Sequence, residues 1–243
     1  YNVGFIQFSD ENFGSDQRQL TEFITEIKKE DVLYTVGGVR VKSVDPDILR
    51  RMKDSGCVSL YYGIESGSPA ILEMMEKKAT LADNVNAARW THEAGLYTIF
   101  QMVMGMPGES ESTIAETTEF LKAATEPFDE SPINRMSINY IQALPGTPVY
   151  EYARFKGLIG ASLKEEEDYL LSISDINAAD ETKFLNFTEH DYLTVQSWRR
   201  RITLETTHHY RKAHGLPRPP LGEVLNDVVF RKYIPAFYRA PAE

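Results

Sequence analysis

In Tyr61-Tyr62-Gly63-Ile64-Glu65-Ser66-Gly67-Ser68 a β-prone run from Val58 to Tyr62 ends in two glycines around an acid and a hydroxyl, and Ser68-Pro69 then opens a helix. A serine followed by proline at the first helical position is a helix-start signal. The stretch therefore reads as a strand whose carboxyl end carries an acid and a hydroxyl between two glycines. An acid placed where backbone can come close suits hydrogen bonding to the hydroxyls or amine of a ligand. Whether this turn belongs to a site depends on how the other strands end.

Upstream, Val3 to Phe8 is predicted as a buried strand ending at Ser9-Asp10-Glu11-Asn12. Leu20, Phe23, Ile24 and Ile27 recur at helical spacing, which predicts an amphipathic helix from Asp16 to Lys29. Val32 to Val41 is the next strand, with Gly37-Gly38 and Arg40 near its end; Asp45-Pro46 starts a helix that Gly56 closes. Downstream, the helix from Ser68-Pro69 is predicted to run to about Lys78, and Thr80 to Asp83 forms a capping box for another that ends at Gly95. Leu96 to Met104 is a strand leading into Gly105-Met106-Pro107-Gly108-Glu109, followed by a helix from about Glu111 to Ala124. Arg135 to Gln142 is the fifth strand, and Thr147-Pro148 begins a helix that stops at Gly157.

Strands beginning near residues 3, 32, 57, 96 and 135, each followed by a helix, imply an α/β fold with a largely parallel sheet. Such folds bind ligands at the carboxyl ends of their strands, whether the sheet is open or closed into a barrel. Here those ends bring Asp10 and Glu11, Arg40, Glu65 and Ser66, Gly105 to Glu109, and Gln142 to Gly146 to one rim. Beyond about Gly160 the texture becomes helical. An acidic segment covers Lys164 to Leu171, a capping box at Thr188 to Asp191 starts a long helix to about Ala213, and a stripe of Leu221, Val224, Leu225 and Val228 follows a proline-rich linker. The division is thus residues 1–160 and a helical extension over 161–243.

A net charge of −10 argues against nucleic acid, which needs a basic face, and leaves a small molecule as the expected partner. No apolar run approaches the ~18 residues of a membrane helix. The single Cys57 excludes an internal disulfide and fits a reducing, cytoplasmic compartment; entering an apolar strand after Gly56, it reads as a buried inert thiol. His208, His209 and His214 lack a metal-binding spacing and read as surface residues.

These strand ends, in this order, resemble the radical S-adenosylmethionine (SAM) superfamily over residues 1 to about 160. Phe8-Ser9-Asp10-Glu11-Asn12-Phe13 is similar to the family's acidic motif after its second strand, which implies that Asp10 or Glu11 meets the methionyl amine of SAM. Gly63 to Ser68 resembles the fourth-strand motif, so Glu65 and Ser66 are expected at the SAM ribose, while Lys77 matches a basic position that pairs with the SAM carboxylate. Gln101 falls at a ribose-contacting position. Gly105 and Pro107 belong to a turn beside the adenine, and Gln142 lies in the segment similar to the sixth strand. Arg40 is expected at an anion or in a structural ion pair. The Asp-Glu-Asn-Phe and Gly-Ile-Glu-Ser-Gly-Ser wording is most like the cobalamin-binding branch, which includes anaerobic magnesium-protoporphyrin monomethyl ester cyclases and methyltransferases.

The resemblance implies an incomplete parallel (β/α)6 partial barrel whose first strand is missing. The family's Cys-x3-Cys-x2-Cys run, which holds a 4Fe–4S cluster by three thiolates, is absent, as is the Asp-x-His-x2-Gly cobalamin signature. Cluster and any cobalamin are therefore expected in the full-length protein only, with the missing N-terminal part as a partner of this chain. The fragment alone is expected to be inactive while keeping part of a SAM pocket. Two other readings stand beside this one: a different α/β-barrel hydrolase or lyase using Asp10, Glu11 and Glu65, and a non-catalytic binding module. For Glu65 the plainer reading is a surface acid, and for Lys77 a helix-end cation facing the macrodipole.

Overall fold

A computed structural model describes residues 3–10, 12–173, 178–181 and 184–217. Strand β1 (Phe5–Phe8) leads to helix α1 (Gln17–Ile27), whose first free amides, those of Arg18 and Gln19, donate to the Asp16 carboxylate. Strand β2 (Leu33–Val39) precedes α2 (Pro46–Asp54), where Asp45 accepts from Ile48 N at 2.8 Å and Pro46 occupies the first turn. Strand β3 (Cys57–Glu65), the short α3 (Pro69–Met74) and α4 (Leu81–Glu93) follow, the last opened by the reciprocal Thr80–Asp83 capping box. The chain continues as β4 (Tyr97–Met104), α5 (Glu111–Thr125), β5 (Met136–Tyr140), α6 (Pro148–Phe155), α7 (Leu163–Ser172) and α8 (Tyr192–Ala213).

The five strands form one open parallel sheet in the order β1-β2-β3-β4-β5, so every neighbour in space is the next strand in sequence. Side chains alternate between its faces. Along β4, Thr98, Phe100, Met102 and Met104 are buried and Tyr97, Ile99, Gln101 and Val103 are half-buried. The buried set faces the helices. Phe8 and Tyr34 meet Phe23 of α1 edge-on, Tyr62 shares a 2.8 Å hydrogen bond with Thr91 of α4, and Phe100 packs on Phe120 of α5. Burying a side chain the size of Leu60, Ile64 or Met102 contributes about 1.5–3 kcal/mol, so this layer carries most of the stability. The opposite face mixes polar and apolar side chains, with Thr35 and Ser59 hydrogen-bonded to each other and Gln101 lying between Gly63 and Ser137 in register.

Helix α8 packs against α5. Its Trp198 is 1 % exposed and donates from Nε1 to Glu111 Oε1 at 2.5 Å, and Val195, Trp198 and Ile202 join the same apolar cluster as the strands. A smaller cluster of Tyr150, Ala153, Ile159 and Phe187 holds α6 beneath the 184–187 segment.

The structure corrects several local expectations. The first strand is not buried: it is an edge of the described sheet, and Phe5, paired in register with Leu33, is half exposed, as is Leu33. The third strand does not stop at Tyr62 but runs on through Glu65 with an irregularity between Gly63 and Glu65. The helix after Ser68 ends at Met74, three residues short of Lys77. Asp191, not Thr188, caps the long helix, because Thr188 is taken up by the Asn186 side chain. The stripe of Leu221 to Val228 lies outside the described residues.

Candidate functional site

At the carboxyl end of β3 the chain leaves the sheet through Glu65, which adopts a left-handed conformation with φ of +64°. A non-glycine residue there costs about 1–3 kcal/mol and persists only where its surroundings hold it. Two helices do so. From α4, the fully buried Asn84 directs its Nδ2 to Ile64 O at 3.4 Å and Ser66 O at 3.3 Å, the two carbonyls that flank Glu65. From α5, Thr117 Oγ1 accepts from Gly67 N at 3.1 Å and shares a 3.1 Å hydrogen bond with Ser66 Oγ. Ser66 is thereby turned into the protein, its hydroxyl also accepting from Ser68 N.

Held in this way, the Glu65 side chain folds back over Gly63. Its Oε1 lies 2.7 Å from Lys77 Nζ, and a methyl group on Gly63 would meet both that oxygen, at 2.7 Å, and the ammonium, at 3.2 Å. Lys77 gets there from a turn beyond α3 in which Glu76 is also left-handed, with φ of +51°. Gln101 sits beside Gly63 in register, on the same face, and its carboxamide has no partner among the described residues. Glu65, Lys77, Gln101 and the bare backbone of Gly63 thus form one patch: an anionic acceptor, a cationic donor and an amide that can do both.

The remaining predicted residues surround this patch. Asp10 is exposed at the end of β1 and accepts from Asn12 N at 2.8 Å; Glu11 lies outside the described residues. Arg40, just past β2, shares a cavity of about 480 Å³ with Lys42, Lys77 and Lys78. Gln142, past β5, lines a different cavity of about 310 Å³ with Tyr140, Tyr169 and Phe184.

Between β4 and α5, Gly105 has φ of +94°, and a side chain on it would run into Leu185 O at 2.9 Å. Pro107 is half-buried in the turn that follows. Glu109 ties that turn together from beneath, its Oε2 accepting from Gly105 N at 2.7 Å. Burial pushes the Glu109 carboxyl up to about 8, against the opposing pull of the Gly105 and Met106 amides. An acid that holds its proton in the folded chain at pH values where the unfolded chain has lost it gives stability at low pH. Its contribution is fully present below its ordinary value of 4.5 and is lost as the pH rises to about 8. Urea unfolding of Glu109→Gln and the parent between pH 5 and 8 should show the parent losing up to ~1.4 kcal/mol per pH unit relative to the variant. Parallel profiles would mean that Glu109 is ionised throughout.

The burial of two residues of this site, one of them the Glu109 of the Gly105 to Glu109 rim turn, escapes a reading of the sequence. Asn84 looks like any polar residue within a capped helix, and its only signal is that asparagine is a poor helix former held at a fully buried position. Glu109 closes a turn that draws the eye to its glycines. Cys57 is buried as expected, its thiol pushed up to about 12 by burial. His209 Nε2 lies 2.6 Å from Glu126 Oε2, and among the described residues no cluster of histidines, cysteines and acids could hold a metal ion. Nor is any described helix long and apolar enough to cross a membrane.

Comparison with known proteins gives this geometry a context. Residues 4–121 match the family model described as the radical SAM superfamily. An uncharacterized methyltransferase of Pyrococcus horikoshii is 28% identical over 166 residues, which cover 65% of this chain and 33% of that protein. The anaerobic magnesium-protoporphyrin IX monomethyl ester cyclase of Cereibacter sphaeroides is 28% identical over 122 residues, covering 48% of this chain and 20% of its own. The chain therefore spans a third or less of the length of either relative. Among solved structures, the radical SAM methyltransferase TsrM of Kitasatospora setae, with cobalamin and a 4Fe–4S cluster bound, superposes with a TM-score of 0.60 at 17% identity, over 97% of this chain and 49% of that one. That likeness establishes the fold.

Proposed function

We infer the function from one premise: this chain belongs to the radical SAM superfamily, through residues 4–121. On that premise the patch over Gly63 is the part of a SAM site that this chain contributes. The observation that carries the reading is the Glu65–Lys77 pair, held over a glycine by a strained backbone that two helices support. Glu65 is the acceptor for the ribose hydroxyls, Lys77 the cation for the amino-acid carboxylate, and Gln101 a second ribose contact. Asp10 or Glu11 is assigned to the amine, Gly105 and Pro107 to the adenine side, and Gln142 to the rim beyond it. Ser66 serves the site by fixing the turn.

SAM, when bound and reductively cleaved, supplies the radical that drives methyl transfer or oxidative cyclisation, in this reading on a substrate that includes a tetrapyrrole among its candidates. The cluster that performs the cleavage needs three thiolates, and a chain whose single cysteine is buried does not fit it. In the intact protein those ligands, and any cobalamin site, belong to other parts of the polypeptide. The half-exposed Phe5 and Leu33, side by side at the β1 edge, suit a further strand packed there. Residues 1–160 then form the cofactor-binding part and 161–243 a helical extension, and the isolated chain performs no radical chemistry.

The reading is tested by titrating SAM into the chain calorimetrically. Saturable binding is expected, weakened about tenfold, or ~1.4 kcal/mol, by Glu65→Gln and by Lys77→Met. A folded chain that takes up no SAM, or variants that bind it as the parent does, would overturn the assignment.

A further inference from the structure

We propose that the cavity between the Arg40–Ser43 turn and the Met75–Ala79 loop is an oxyanion site, which receives a carboxylate or phosphate group of the substrate beside the cofactor. Four cations, Arg40, Lys42, Lys77 and Lys78, line its roughly 480 Å³, with Glu76 the one acid on its wall. That concentration of positive charge stands on a chain whose net charge is −10. Several cations elsewhere have a carboxylate within reach: Lys29 with Glu26, Arg50 with Asp47, Lys122 with Glu119, Arg135 with Glu130. Around this cavity, among the described residues, only Lys77 has such a partner, and Glu65 holds it from the sheet side. The hydrogen bonds from Thr80 hold the Asp83 carboxyl below the usual range, with the charge of Lys42 a lesser cause, and that carboxylate is committed to the capping box.

Like charges gathered on one wall repel unless an anion enters among them. The residue types suit an oxyanion: the planar fork of Arg40 can grip two oxygens at once, and the lysines act as mobile point charges around it. The volume admits the group together with part of the molecule that carries it. Position completes the argument. Arg40 follows the last residue of β2 and Lys77 overhangs the end of β3, so the cavity opens at the strand ends where parallel sheets place ligands. Lys77 borders both this cavity and the Gly63 patch, so an anion here lies next to whatever the patch holds. The inference rests on the SAM reading only in naming the anion as part of a substrate; the site itself stands on the cations.

The test is titration of the folded chain with inorganic phosphate, pyrophosphate and succinate at constant ionic strength, followed by amide chemical shifts. At least one anion should bind saturably in the millimolar range, with the largest shifts at residues 40–43 and 75–79. The double variant Arg40→Gln/Lys78→Gln, which alters exposed side chains, should bind at least tenfold more weakly. Lys29→Gln/Lys164→Gln, which removes the same net charge elsewhere, should bind as the parent does. Binding of pyrophosphate without succinate assigns a phosphorylated group, and of succinate without pyrophosphate a carboxylate. Absence of saturable binding, or equal losses in the two double variants, would overturn the proposal. Anion binding that persists in a chain unable to bind SAM would sink the cofactor reading and leave this site standing.

Discussion

Asn84→Asp is expected to destabilise the fold by about 3–5 kcal/mol, the cost of leaving a buried charge without a partner. The present amide gives its Nδ2 hydrogens to Ile64 O and Ser66 O. An ionised carboxylate in that place has nothing to give and faces two carbonyl oxygens in a pocket closed to water. Asn84→Ala removes the donor without adding charge and should cost less, about 1–3 kcal/mol, chiefly for the Ser66 carbonyl, since Ile64 O still accepts from Ser66 N. The difference has a pH signature. Buried, the introduced acid must fold in its protonated form, so its folded pKa is raised and the variant loses stability as the pH climbs above the ordinary aspartate value. Urea midpoints at pH 5 and pH 8 should therefore separate further for Asn84→Asp than for Asn84→Ala. Equal midpoint shifts in the two variants would show that Asn84 is only a space-filler.

Gly67→Ala should cost about 1–3 kcal/mol, the range for forcing a methyl into packed structure. Its new carbon would lie 2.7 Å from Thr117 Cα and 2.7 Å from Phe120 Cβ, atoms that move only if α5 moves as a body. Gly63→Ala makes the opposite kind of trouble. There the methyl meets the tips of Glu65 and Lys77, flexible ends that can swing away, so stability should stay within ~1 kcal/mol of the parent. Its effect should fall instead on SAM binding, since the two swung groups are the ones assigned to the ligand. Thermal unfolding of both variants beside SAM titration separates these outcomes. If Gly67→Ala melts with the parent, α5 is not seated against this turn.

These glycines show where the sequence could and could not be read. The alternation of strand and helix was legible because each crossover carries its own punctuation: Asp45-Pro46, the Thr80–Asp83 box, Gly95 and Thr147-Pro148 act within a few residues and fall where they were expected. The family resemblance alone puts Glu65 and Lys77 beside one ligand. That one binds the other was not legible, because their contact spans 12 residues and depends on the helix ending early at Met74. By sequence alone, Gly63 and Gly67 mark the end of the strand. The strand continues past Gly63 to Glu65; Gly63 makes room for the side-chain tips of Glu65 and Lys77, and Gly67, beyond the strand, makes room for α5. Asn84 left no mark because burial and partner choice are tertiary facts. The exposure of Phe5 was illegible for the same reason: an apolar strand reads alike at an edge and in the middle of a sheet.

The order of the strands has a consequence for biosynthesis. Because each strand pairs with the one translated just before it, a polypeptide leaving the ribosome amino end first can lay down β2 on β1, then β3 on β2, and so on across the sheet. Pairing never has to wait for a distant segment, and no completed pair must part to admit a latecomer. Up to β5, each exposed edge lasts only for the time it takes to synthesise the one or two helices that follow it and the next strand.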